Sequence, residues 1–206
     1  MSAPHLLISE VTPVKGEAEV LASKWASLPK PELVTQREVY IAQDDSTVLE
    51  VLALRDLNVV MQLHGHWQDS WDKLGQHLAS DFARQALSFI EAPKDSQQAI
   101  PPTPYLQLRH VEVPPPAYED YRAWRERTIF DVVRGAKEVD FFLAYHSVIS
   151  TEPGVMFLSG FTCAMEDYSK VFSSARYQQI VREAGTQFIT GGDKGLYTKI
   201  YRRVSA

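Results

Sequence analysis

One cysteine, Cys163, stands in 206 residues. That excludes an internal disulfide and any zinc site built on several thiolates, and it fits a reducing cytoplasm. Long apolar runs are missing too. The stretches Asp140–Val148 and Val155–Phe161 fall far short of the roughly 20 residues that a transmembrane helix needs. The opening Met-Ser-Ala-Pro-His has no basic segment followed by an apolar core, so no secretion signal is read there. Nor is positive charge in excess. With 21 Lys and Arg against 26 Asp and Glu, the net charge of −5 gives no electrostatic reason to bind a phosphate backbone. The basic cluster Lys199, Arg202 and Arg203 reads as a solvated strand end. These absences predict a cytoplasmic protein that engages neither nucleic acid nor membrane.

Familiar catalytic signatures are also lacking. There is no P-loop, dinucleotide fingerprint, nucleophile elbow or carboxylate pair at catalytic spacing. Gly191-Gly192-Asp193-Lys194-Gly195 has the composition of a phosphate loop but precedes a strand, so it reads as a turn. His64 and His66 stand two apart in a helical pattern, which prevents joint chelation, and no carboxylate supplies a zinc-helix spacing. No metal site is predicted.

What is present is a pattern that occurs twice. Leu6–Val11 reads as a strand, Gly16–Leu28 as a helix ended by Pro29 and Pro31, and Leu33–Ala42 with Thr47–Leu54 as a hairpin around Gln43–Ser46. From Leu57 to Ile90 the spacing of Trp67, Trp71, Leu74, Leu78 and Phe82 predicts a long helical region. A closing strand is expected at Ser88–Ala92 or in the proline-rich bridge 100–104. The second half repeats the order: strand Tyr105–Val113, helix Tyr118–Val133, hairpin strands Asp140–Ser150 and Gly154–Phe161, helices within Glu166–Ala184, and strand Gly195–Val204. Residues 1–99 and 105–206 thus form two repeats of strand, helix, two strands, helix, strand.

Two stretches, Ser80-Asp81-Phe82-Ala83-Arg84 and Ser173-Ser174-Ala175-Arg176-Tyr177-Gln178-Gln179-Ile180, place a serine and an aromatic residue on the expected second helix of each repeat. With the repeated βαββαβ order, this resembles the dimeric α/β-barrel superfamily, in its antibiotic-biosynthesis-monooxygenase branch. The resemblance implies an α+β fold of two tandem ferredoxin-like repeats closed into a pseudo-dimeric barrel, with a pocket between sheet and helices in each repeat. It implies cofactor-independent oxygenation, cyclisation or isomerisation of a hydrophobic or aromatic small molecule. A homodimer is a further expectation. The alternative is a haem-binding or haem-degrading protein. The haem-degrading branch has an asparagine on the first strand, which falls at about Ser9 and His110 here. Its tryptophan–histidine pair has the ten-residue separation of Trp67 and His77, but registering on the serine–aromatic stretch puts His77 and Leu87 at those positions instead.

Strand alternation places His110 on one face with Leu106 and Leu108, and His146 with Phe142, Ala144 and Val148. Each is a general-base candidate or a core histidine. Arg109 and Tyr145 are candidates to hold an enolate or phenolate. Trp71, Trp124 and His77 are candidate ligand contacts, and His77, His110 or His146 would be the axial ligand if haem binds. One working pocket is expected, in the second half.

Overall fold

Alternation along the strands decides which residues point inward. The computed structural model describes residues 2–204. In β1 (His5–Val11), Leu6 and Ile8 join one apolar cluster while Leu7 and Val11 join others on the opposite face. The same parity continues through β2 (Gln36–Ala42), β3 (Val48–Leu54) and β4 (Ala83–Lys94). It holds again in β5 (Tyr105–Val111), β6 (Phe141–Ile149), β7 (Val155–Phe161) and β8 (Leu196–Arg203). All eight strands pair antiparallel into a closed barrel in the order β1-β3-β2-β8-β5-β7-β6-β4. Within that ring the first half runs β4-β1-β3-β2 and the second β8-β5-β7-β6, the same relative order. The halves meet at the β2–β8 and β4–β6 ladders.

Side chains from every strand fill the interior, among them Leu6, Tyr40, Val51, Leu87, Leu108, Leu143, Leu158 and Tyr201. This is a packed core, not a channel. The bridge between the halves covers one end: Ile100 joins the interior cluster, and its backbone exchanges hydrogen bonds with the Gln36 side chain at 3.0 and 2.6 Å.

Helices cover the outer faces. The first sheet carries α1 (Ala18–Ser27), α2 (Val59–Gln62) and α3 (His64–Leu74). The second carries α4 (Tyr118–Arg127), α5 (Ile129–Gly135), α6 (Met165–Ser173) and α7 (Ala175–Gln187). None is long and apolar enough to cross a membrane.

The long helix expected over 57–90 is a correction. α3 ends in a short 3-10 turn at Gly75–His77, and β4 begins at Ala83. Between them Ser80 Oγ accepts the Thr12 N–H at 2.9 Å and Asp81 Oδ1 accepts the Phe82 N–H at 2.6 Å. Residues beyond Phe82 gain ladder partners on both sides, β1 and β6, which outweighs their helical spacing. The Ser80–Arg84 stretch therefore lies in a loop and a strand, not on a helix. The second helix region also divides, with Thr128 separating α4 from α5.

Candidate active site

The outward face of the first sheet should be apolar, because helices cover it, yet it carries a row of polar groups. Arg84 on β4 stands opposite Ser9 on β1, which stands opposite Glu50 on β3. Arg37 on β2 faces the same way and closes the row through an Arg37 Nε–Glu50 Oε1 contact of 2.6 Å. The Arg37 guanidinium also donates to the carbonyls of Trp25, Ala26 and Leu28 at the end of α1. Arg37 is thereby fixed as a structural clamp.

From α3, His66 and Trp67 descend on this row. Nε2 of His66 lies 4.0 Å from Glu50 Oε1, and the His66 side chain is only 13% exposed. The Arg84 guanidinium is layered between the rings of Trp67 and Phe82, with centroids at 4.6 and 4.8 Å. A surface cleft of about 230 Å³ is lined by Trp67, Arg84 and Phe82 of this group together with His64, Trp71 and Asp81.

Burial governs the electrostatics. Glu50 is 2% exposed, and desolvation raises its pKa above the ordinary carboxylate range although Arg37 and Arg84 oppose the shift. Desolvation lowers the His66 pKa, assisted by the Arg37 charge, so the imidazole is neutral at pH 7. The Arg84 pKa is also lowered by burial, opposed by Asp81 and Glu50. Nε1 of Trp25, Nε1 of Trp67, Nε2 of His66 and Nε of Arg84 are buried without a hydrogen-bond partner. Buried polar groups without a partner are costly in a native protein.

The corresponding face of the second sheet is different. The registers of β1 with β3 and of β5 with β7 run in parallel, so Arg109 stands where Ser9 does and Phe157 where Glu50 does. Arg109 points outward and donates to the Tyr177 hydroxyl at 3.0 Å. Beside it, Tyr168 donates to Ser159 Oγ at 2.9 Å. A cleft of about 280 Å³ opens here between the sheet and α6–α7.

The structure separates the candidates named from sequence. His110 is fully buried inside the barrel, on the opposite side of the sheet from the helices, so it does not line a sheet–helix pocket. Neither ring nitrogen has a partner, and the ring stacks on Tyr197 at 5.1 Å. His146 faces outward as its parity requires, but it is exposed at the rim against Tyr118. The two histidines therefore share no pocket. Tyr145 is an interior residue whose hydroxyl donates to the Ala3 carbonyl at 2.9 Å, not a ligand contact. Trp124 packs on Tyr121 and Phe188. His77 has both nitrogens engaged, Nδ1 by Glu17 and Nε2 by Lys24 at 2.8 Å. Trp71 lines the first cleft and Arg109 the second. As axial haem ligands, His77, His110 and His146 do not fit: one is consumed by α1, one is walled into the barrel, and one stands on the surface.

Glu50, His66 and Arg84 were not nominated from sequence. The signal existed for Glu50, the one charge in the otherwise apolar strand Val48–Leu54. No cluster of three or more metal-ligating side chains occurs among the described residues.

The fold and this site define an α+β protein built on a closed eight-stranded antiparallel barrel, consistent with the dimeric α/β-barrel class. Solved structures share that architecture. An anthrone oxidase-like protein superposes with a TM-score of 0.70 at 11% identity, over 98% of this chain and 91% of that one. A candidate monooxygenase from Fusobacterium nucleatum gives 0.65 at 10% identity, over 99% and 94%. A variant of chlorite dismutase from Candidatus Nitrospira defluvii gives 0.64 at 12% identity, over 100% and 93%. At such identities the likeness establishes fold and leaves chemistry to the site. No protein-family model and no curated protein matches the sequence.

Proposed function

We propose that this protein is a small-molecule enzyme of the cofactor-independent oxygenase type, acting on an aromatic carbon acid in the cleft beneath α3. It is read as two ferredoxin-like repeats, residues 1–99 and 105–206 with linker 100–104, fused into one pseudo-dimeric barrel. The repeated strand order supports that division. The observation that carries the function is the neutral, half-buried His66 set against the buried carboxylate of Glu50, with Arg84 and the Trp67 indole beside them.

The roles follow from position. Arg84 and the unpartnered N–H of Trp67 hold the oxygen of an aromatic ketone or phenol at the cleft. His66 removes a proton from the adjacent carbon, and Glu50 stabilises the imidazolium that forms. Arg84 stabilises the resulting enolate. The carbanion then combines with dioxygen to a hydroperoxide, which loses water and leaves a carbonyl. A CH₂ group and O₂ thus become C=O and H₂O, with no external reductant. General-base catalysis of this kind is worth about 10²–10⁴-fold.

The names of two structural neighbours, an anthrone oxidase-like protein and a candidate monooxygenase, favour this class of substrate. An oxygen electrode with a panel of anthrones and related aromatic carbon acids tests it. Uptake that His66→Gln reduces at least about a hundredfold supports the reading. Silence across the panel, together with a Soret band on adding haemin, would replace it with the haem alternative.

A further inference from the structure

We infer that the second sheet–helix cleft is a separate binding site for an aromatic carboxylate, one that holds its ligand without transforming it. This goes beyond the proposed oxygenase site and does not depend on it.

The cleft lies between β5, β8 and helices α6 and α7, with a volume of about 280 Å³ and walls that include Gln107, Arg109, Tyr168, Phe172, Tyr177 and Val181. It adjoins an apolar void that shares Arg109, Tyr177 and Val181. Gln107 is 3% exposed, and its Nε2 has no hydrogen-bond partner. An amide that deeply buried carries a cost until an acceptor arrives. The Arg109 guanidinium has one hydrogen-bond partner among the described residues, the Tyr177 hydroxyl, and lies 5.4 Å from that ring's centroid. Burial raises the Tyr177 pKa against the pull of Arg109, so the phenol keeps its proton. Having accepted from Arg109, the Tyr177 oxygen still has an O–H to give. Tyr168 has spent its own on Ser159.

Three donors therefore converge here, the Gln107 amide N–H, the Tyr177 O–H and the cationic Arg109 guanidinium, beside the hydroxyls of Ser169, Ser173 and Thr198 and the Gln178 amide. Such a set selects a carboxylate, which can accept two parallel N–H bonds from a guanidinium. Phe172, Tyr177 and Val181 offer a flat apolar body its contact area. What the cleft lacks is a base. No imidazole or carboxylate lines it, and the position equivalent to Glu50 is Phe157. At this matched position the two halves differ, with a carboxylate in the first and a phenyl ring in the second.

A fluorescence titration of the full-length chain with naphthoate, and with its uncharged methyl ester, tests this. The expected result is saturable binding of naphthoate, weakened at least about tenfold in Arg109→Gln and in Gln107→Leu, since hydrogen bonds to charged groups are worth that much. The methyl ester should bind at least about tenfold more weakly than the acid. Arg84→Gln and His66→Gln should leave the affinity unchanged, which separates this site from the oxygenase cleft. Val181→Phe fills the cleft without touching a polar group. It should abolish binding while Tm holds, which covers the case in which a polar variant fails to fold. Absence of saturable binding, equal affinity for the ester, or loss in Arg84→Gln with retention in Arg109→Gln would overturn the inference.

Discussion

His110 shows how far a single residue can mislead when only its neighbours in sequence are known. Parity placed it on the face of Leu106 and Leu108, as the structure has it, but that face turns into the barrel. Its pKa is lowered by desolvation, against the opposing fields of Glu152 and Glu112. The unfolded chain therefore binds a proton more readily than the folded one below about pH 6.5. Stability contributed by the neutral ring is complete above that pH and is lost as pH falls through it. His110→Phe keeps the stacking on Tyr197 and removes two unpartnered nitrogens, so it should raise Tm at neutral pH. It should also flatten the acid limb of a denaturation series, with a gain of about 1–3 kcal/mol. His66, also lowered, predicts a different pH dependence. Turnover should persist down to below pH 6.5 and fail only when the imidazole protonates, and a rate profile in buffers from acid to neutral checks it. Of the residues nominated from sequence, Arg109 and Trp71 do line clefts. Glu50, His66 and Arg84 were illegible as a group, because the register that aligns them joins β4, β1 and β3 and no local spacing encodes it.

At the level of elements, the sequence was most legible where periodicity and turn chemistry agreed. The hairpin β2–β3 turns at Asp45, whose positive φ of 57° fits an aspartate in a tight turn. The hairpin β6–β7 turns at Gly154, and β1, β5, β7 and β8 lie within two residues of their expected bounds. Legibility failed where a loop imitated a helix, since Leu74, Leu78 and Phe82 keep a spacing of four across the end of α3 and the loop into β4. One close approach within the sheet yields a prediction. A Cβ added to Gly160 in β7 would collide with the Phe141 ring and the Thr103 hydroxyl. Gly160→Ala should therefore destabilise by about 1–3 kcal/mol, as overpacking does, measurable by urea denaturation. Unchanged stability would mean that the β6–β7 contact is slack.

The whole molecule joins its halves through shared interior side chains and through polar ties across the seams. Arg125 on α4 is fully buried among Tyr121, Phe130 and Phe157, and its carboxylate partner is Glu91 on β4 of the other half. Glu91→Gln leaves that guanidinium without its counter-charge and should cost up to about 3 kcal/mol, reduced because Glu91 itself is partly exposed. Because the interior cluster draws on all eight strands, the halves should unfold together. Calorimetry should show a single transition, and two resolved transitions would indicate that each repeat holds its own core. The same architecture gives each half its own outer cleft, and on the outward faces of the two sheets Glu50 of the first half matches Phe157 of the second.

Proton abstraction at the α3 cleft is tested most directly without oxygen. Anthrone incubated anaerobically in deuterated buffer should exchange its acidic C–H hydrogens faster with the protein than without it, as followed by proton NMR. His66→Gln should slow that exchange by about 10²–10⁴-fold while leaving the fold intact. No acceleration by the wild-type protein, or equal acceleration by the variant, would contradict the assignment of His66 as the base.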